Sequence, residues 1–262
     1  MTDMTSYDHG TFSWVELSTT DPEGAKSFYS SLFGWKAEDM PAGDTGATYT
    51  MCKIDGKYVS AIQQIFEEMR AQGVPPHWMS YVTVDDVDMS ADKVPSLGGT
   101  VVVPPFDVMD VGRMAVIQDP TGATLSLWQA KDHIGAGLIH APGSLSWNEL
   151  STNDTAAAGA FYSSLLGWDA DEQDMGGMKY TVFKVGESSK GGMSQITGQM
   201  GDMPPAWSVS FAVSDVDESA AKISELGGTI VMPPTDYPGG RFAVAQDPQG
   251  AFFGIVRVDD PA

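Results

Sequence analysis

The sequence is written twice. Residues 12–35 read FSWVELSTTDPEGAKSFYSSLFGW and residues 145–168 read LSWNELSTNDTAAAGAFYSSLLGW, so 15 of 24 positions agree at an offset of 133. The correspondence runs on. Pro75-Pro76-x-Trp78 recurs as Pro204-Pro205-x-Trp207, and Val84-x-Asp86-Val87-Asp88 as Val213-x-Asp215-Val216-Asp217. Gly112-Arg113 recurs as Gly240-Arg241, and Asp119-Pro120-x-Gly122 as Asp247-Pro248-x-Gly250. A solenoid repeats every 20–50 residues or so; a period this long marks a duplicated domain. With 262 residues, the chain divides into a first domain at 10–130, a linker at 131–143 rich in glycine, and a second domain at 144–260.

Each half repeats again within itself. A strand ends in Asp, an amphipathic helix follows, and a Gly closes it: Asp21 to Gly34, Asp86 to Gly98, Asp154 to Gly167, Asp215 to Gly227. The Asp is placed to accept the free N–H groups of the first turn, and the Gly to take the left-handed conformation that stops a helix. Short β-rich runs come next, in the first quarter Trp35–Met40, Thr48–Ile54 and Tyr58–Ile65, the last two joined by the hairpin signal Asp55-Gly56. Each quarter therefore reads strand, helix, strand, strand, strand. Four such βαβββ modules make an α+β chain with sixteen strands and four helices.

Composition removes whole classes of function. Fourteen Lys and Arg against 35 Asp and Glu leave a net charge of −21, which repels nucleic-acid phosphates and anionic membrane surfaces. At 42 % apolar the chain can build a core, but no stretch is long and apolar enough to span a membrane. The N-terminus lacks the basic and apolar regions of a secretory signal, and the lone Cys52 permits no internal disulfide, so a cytoplasmic location is expected. Cys52 has no basic neighbour but Lys53, which gives no reason for a reactive thiolate. The sequence contains no dinucleotide fingerprint or phosphate loop, and no cofactor is expected.

The βαβββ unit used four times, with Asp21-x6-Phe28-Tyr29-x4-Gly34-Trp35, Val84-x-Asp86-Val87-Asp88 and Asp119-Pro120-x-Gly122 all recurring in the second half, resembles the vicinal oxygen chelate superfamily. That superfamily holds glyoxalase I, bleomycin-resistance and fosfomycin-resistance proteins and extradiol dioxygenases. The Trp-x-Glu-Leu-Ser-Thr opening is similar to that of actinobacterial two-domain, glyoxalase-like or hydroxylase-like members. The resemblance covers residues 10–258 and implies tandem glyoxalase-like domains, each a pair of modules enclosing a cavity. It also implies that one chain can complete its own sites as a monomer, where relatives with a single module pair dimerise; assembly into an oligomer stays open.

Metal-dependent relatives carry a His or Gln on the first strand, seven residues before the capping Asp, which corresponds here to Trp14 and Trp147. Their second ligand corresponds to Met79 and Ser208, and their third, a Glu, to Ser126 and Gly254. Such side chains form no coordination set for a divalent ion. His9, His133 and His140 fall in the N-terminal segment and linker, and His77 alone is one ligand at most. Only a one-residue slip of this register restores a metal enzyme.

Strand alternation puts Trp14, Glu16 and Ser18 on one face, and Trp147, Glu149 and Ser151 on its counterpart. A carboxylate inside a partly apolar cavity needs a partner, and Arg113 and Arg241 are the candidates. The first cavity is then lined by Trp14, Glu16, Met79, Tyr81, Ser126 and Trp128, the second by Trp147, Glu149, Ser208, Ser210, Gly254 and Val256. The second should be roomier and more polar. Two functions follow. One is a metal-free cavity that sequesters a small organic molecule, as bleomycin-resistance relatives do, in resistance or detoxification. The other is a glyoxalase-like lyase or a hydroxylase with Glu16 or Glu149 as general base and Arg113 or Arg241 holding an anionic group. A structural role for one half is the plainer alternative.

Overall fold

The computed structural model describes every residue except 43–46, 175–178, 199–202 and 260–262. In chain order its first half has β1 (Thr2–Asp3), β2 (Thr11–Thr19), α1 (Pro22–Phe33), β3 (Lys36–Pro41), β4 (Thr48–Ile54), β5 (Lys57–Gln64), α2 (Glu67–Ala71), β6 (His77–Thr83), α3 (Val87–Lys93), β7 (Thr100–Val108), β8 (Gly112–Gln118) and β9 (Thr124–Ala130). Then come β10 (Leu138–Ile139), β11 (Leu145–Thr152), α4 (Thr155–Leu166), β12 (Asp169–Asp174), β13 (Lys179–Val185), β14 (Ser188–Gln195), β15 (Ala206–Ala212), α5 (Val216–Glu225), β16 (Thr229–Tyr237), β17 (Gly240–Gln246) and β18 (Phe252–Val258). The sixteen expected strands form the two large sheets; the two-residue pair β1–β10 and the single-turn α2 are additions. The capping reading holds at all four helices. Asp21, Asp86, Asp154 and Asp215 accept from Gly24, Met89, Ala157 and Glu218 amides at 2.8–3.0 Å. Asp55 and Gly56 both take positive φ, 49° and 80°, as the tight β4–β5 turn requires.

Each half is one continuous eight-stranded sheet, ordered β3-β4-β5-β2-β6-β9-β8-β7 and β12-β13-β14-β11-β15-β18-β17-β16. Its two modules join edge to edge through their first strands, β2 with β6 and β11 with β15. A register shift at Ser13, and again at Ser146, reverses the faces, so Phe12 points to the core between the halves while Trp14 and Glu16 point away. We call the face carrying Trp14 and Glu16, or Trp147 and Glu149, the inner face.

The recurring motifs turn out to fasten the molecule together. The outer faces and helices of both halves share one core that includes Val15, Leu17, Phe161, Trp168, Phe211 and Phe253. Tyr29 of α1 donates to the buried Asp247 of the other half at 3.0 Å and accepts from Trp78 at 3.2 Å. Tyr162 of α4 mirrors it, donating to Asp119 at 3.0 Å and accepting from Trp207 at 2.8 Å. The Phe-Tyr, Pro-Pro-x-Trp and Asp-Pro-x-Gly motifs therefore build an approximately two-fold seam. Every polar atom buried in these two networks finds a partner there, which burial demands.

Residues 131–143 are more than a connector. Tyr7 donates to the Ala136 carbonyl at 2.6 Å, and the amides of Ala136 and Gly137 donate to Ser13 and Tyr58 carbonyls at 2.7 and 2.8 Å. Trp128 Nε1 donates to the His133 carbonyl at 2.9 Å, and the His133 ring meets Trp14 edge-on at 4.7 Å. The segment lies as a strap along the inner face of the first half, with Ala136 fully buried in its aromatic cluster.

Candidate functional site

On the inner face of the first half, four strands converge on one carboxylate. Glu16, 8 % exposed, accepts from the Tyr49 hydroxyl at 2.7 Å through Oε2, and from Tyr81 at 2.7 Å and Gln63 Nε2 at 2.9 Å through Oε1. Tyr49 in turn accepts from Trp14 Nε1 at 3.2 Å. Burial pushes the Glu16 carboxyl upward, against the hydrogen bonds of Tyr81 and Tyr49 and the nearby His77, which pull it down. Around this cage Trp14, Met51, Tyr81, Trp128 and Ala136 form a closed cluster, with Met79, Tyr58 and Met114 packed against it. Gly112 is needed here because a Cβ would strike the Trp128 ring within 2.2 Å. Ser126 is buried beneath Tyr81, its partner in the ladder.

The second half repeats the carboxylate but not the enclosure. Glu149 accepts from Tyr180 at 3.0 Å through Oε2 and from Ser194 at 3.0 Å through Oε1, and Tyr180 accepts from Trp147 Nε1 at 2.9 Å. Burial again raises the carboxyl, opposed by those two hydroxyls. Gly192 makes room for this relay, since a Cβ would lie 1.8 Å from the Tyr180 oxygen. The ladders match position for position: Met79 becomes Ser208, Tyr81 becomes Ser210, Ser126 becomes Gly254 and Trp128 becomes Val256. Trp147, Glu149 and Ser210 are half-buried and Ser208 is exposed, where Trp14 is 4 % and Tyr81 6 % exposed. Half-buried Phe242 stands opposite Val256 in the β17–β18 ladder, and the ring of half-buried Tyr237 lies 5.9 Å from that of Phe242.

The pairing of the glutamates with arginine is corrected. Arg113 grips Asp88 through two bonds of 2.7 and 2.8 Å, and Arg241 grips Asp217 at 2.8 and 2.9 Å. The second Asp of each Val-x-Asp-Val-Asp motif thus ties helix α3 or α5 to the neighbouring strand, and the carboxylates instead take neutral hydroxyl and amide donors. Tyr49, Tyr180, Gln63 and Ser194 were not read from the sequence. The two tyrosines recur at nearly the repeat offset, in Thr48-Tyr49-Thr50 and Lys179-Tyr180-Thr181, and that coincidence was the available signal. Cys52 is buried and its thiol is pushed up to about 12, so it stays protonated.

The donor chemistry at the three positions where relatives hold a metal, Trp-Met-Ser and Trp-Ser-Gly, does not fit one. Among the described residues no three His, Cys, Asp or Glu side chains gather to hold an ion elsewhere. Clefts on the surface lie away from the inner-face glutamates. One of about 350 Å³ lies between the N-terminal segment and the strap, and another of about 320 Å³ between α4 and β12–β14; neither includes a glutamate of the inner faces. No helix among the described residues is long and apolar enough to cross a membrane.

The profile of the Glyoxalase/Bleomycin resistance protein/Dioxygenase superfamily matches residues 11–127 and 143–255. The chain belongs to that superfamily. Relatives match nearly its full length. A Mycobacterium tuberculosis protein named "Putative glyoxylase CFP32" is 44 % identical over 253 residues, 96 % of either chain. The anthracycline biosynthesis protein DnrV of Streptomyces peucetius is 35 % identical over 265 residues, covering 97 % of this chain and 96 % of that protein. Among solved structures, the 2,3-dioxygenase LapB of Pseudomonas sp. KL28 aligns over 96 % of this chain and 93 % of its own with a TM-score of 0.66. At 16 % identity that likeness speaks to the fold alone.

Proposed function

We propose that the chain binds a small organic molecule on the inner face of its C-terminal half, in a site without a resident metal, and that its N-terminal half is a structural copy. One observation carries this reading. The same glutamate and the same Trp–Tyr–Glu relay occur in both halves, yet Glu16 is buried behind Tyr81, Trp128, Met79 and the strap while Glu149 is only half-buried. Burying a carboxylate costs free energy, and in the second half part of that cost is met by donors while one side faces outward. Superfamily members bind small-molecule substrates, which agrees with a ligand there.

The test is a ligand-observed NMR screen with small planar aromatics and small aldehydes. Ser208→Trp should abolish the signals of hits, and Met79→Ala should leave them. Hits indifferent to Ser208→Trp overturn the reading, as does stoichiometric metal in the purified protein. A second reading, catalysis by Glu149 as general base, is favoured by its raised carboxyl and its anchoring by Tyr180 and Ser194. Turnover lost in Glu149→Gln with binding retained supports it; turnover unchanged removes it.

A further inference from the structure

We infer that the ligand of the C-terminal inner face is a neutral hydroxy-aromatic molecule, a phenol whose ring takes the place that the Tyr81 side chain fills in the N-terminal half. This rests on the reading that the C-terminal face is a binding site. The first half shows what such a face accepts, because its own chain supplies the occupant. Tyr81 stands opposite Trp14 in the β2–β6 ladder, donates its phenol to Glu16 Oε1 at 2.7 Å, and meets Trp128 edge-on at 6.3 Å and 84°. In the second half the residue opposite Trp147 is Ser210, and the residue at the Trp128 position is Val256. A phenol and an indole are thereby absent from one spot, while Ser194 replaces Gln63 beside the carboxylate and Tyr237 and Phe242 stand where the first half has Val108 and Met114.

The hydrogen bonds agree. Among the described residues Glu16 Oε1 accepts two bonds, from Gln63 and Tyr81, and Glu149 Oε1 accepts one, from Ser194, the ladder equivalent of Gln63. An ionised carboxylate accepts about four, so capacity remains at the oxygen where Tyr81 would donate. The carboxylate and the net charge of −21 select against anionic ligands, phenolates and aryl carboxylates included. The flat wall of Trp147 and the ring of Phe242 suit an aromatic body, while a hydroxyl donor satisfies Glu149.

The probe is 4-methylphenol, which is the tyrosine side chain itself, titrated by calorimetry beside 4-methylanisole, the same ring with its donor blocked. The unaltered protein should bind 4-methylphenol at least ~10-fold more tightly, the ratio expected for one hydrogen bond to a charged acceptor. Ser210→Tyr, which rebuilds the closed cage, and Val256→Trp, which fills the same space from the next strand, should each abolish binding. Two independent fillings guard against one substitution failing to fold. Equal affinity for the two compounds, both lost in Ser210→Tyr, overturns the phenol assignment and leaves the binding site standing. Affinities unchanged in both filled variants overturn the site as well.

Discussion

The two inner faces start from the same residues and end in different states. Trp14, Tyr49 and Glu16 in one half match Trp147, Tyr180 and Glu149 in the other, with the same sequence of donors. Beyond the exchange of Gln63 for Ser194, the large differences lie in the second module of each half. β6 and β9 bring Met79, Tyr81 and Trp128; β15 and β18 bring Ser208, Ser210 and Val256. The duplicated acid is enclosed by large side chains and a strap in one half and half-buried in the other. A copy that is sealed can serve stability; in the reading proposed above, the copy left open takes a ligand. The seam on the outer faces shows no such divergence, since the Trp–Tyr–Asp networks are equivalent on both sides.

The contrast can be broken most forcefully at the acids. Glu16→Ala strands two hydroxyls and an amide in a closed cluster and should lower the unfolding free energy by about 3 kcal/mol or more, whereas water can satisfy the groups that Glu149→Ala exposes, for a loss of about 1 kcal/mol. Denaturant titration reads both, and equal losses mean the faces are equally closed. Next in size, Tyr29→Phe and Tyr162→Phe should each cost about 1–3 kcal/mol by orphaning an aspartate oxygen and an indole N–H. Their costs should match, because they sample the part of the molecule that stayed symmetric; a large inequality in thermal unfolding would extend the asymmetry to the seam.

The strap adds a pH dependence confined to the first half. Burial holds the His133 imidazole down at about 4, from an ordinary 6.5. Between those values the unfolded chain binds a proton that the folded chain refuses, so this group's contribution falls as pH drops from 6.5 towards 4. Relative to His133→Phe, the unaltered protein should lose about 1–2 kcal/mol across that window. Melting curves that run parallel at both pH values would show that the ring is not enclosed. Smallest of all, Ser208→Ala should change stability by less than about 0.5 kcal/mol, while Met79→Ala at the equivalent position costs about 1–2 kcal/mol. A silent Met79→Ala would say that the first face is looser than its packing shows.

Much of this was legible in the sequence because it is local or repeated. The Asp and Gly at the helix ends, the module order and the inward alternation of Trp14, Glu16 and Ser18 depend on residues a few positions apart. The partners of the acids do not. Tyr49 reaches Glu16 from two strands away, across 33 positions, and Tyr29 reaches Asp247 across 218. Arg113 reads as a partner for Glu16 because basic residues are few, but Asp88 in the first turn of α3 offers an exposed, bidentate partner and spares a second buried charge. Its glycine content makes 131–143 read as a linker. The backbone hydrogen bonds that make it a strap leave no mark on composition.

The indole N–H resonances of Trp14 and Trp147, assigned by single Trp→Phe substitutions and followed by ¹H–¹⁵N NMR during titration with 4-methylphenol, report the two faces side by side in one sample. The Trp147 resonance should move and saturate while that of Trp14 stays in place. Movement of Trp14 to a comparable extent, or no movement of Trp147 at saturating phenol, would contradict a sealed first face and an open second one.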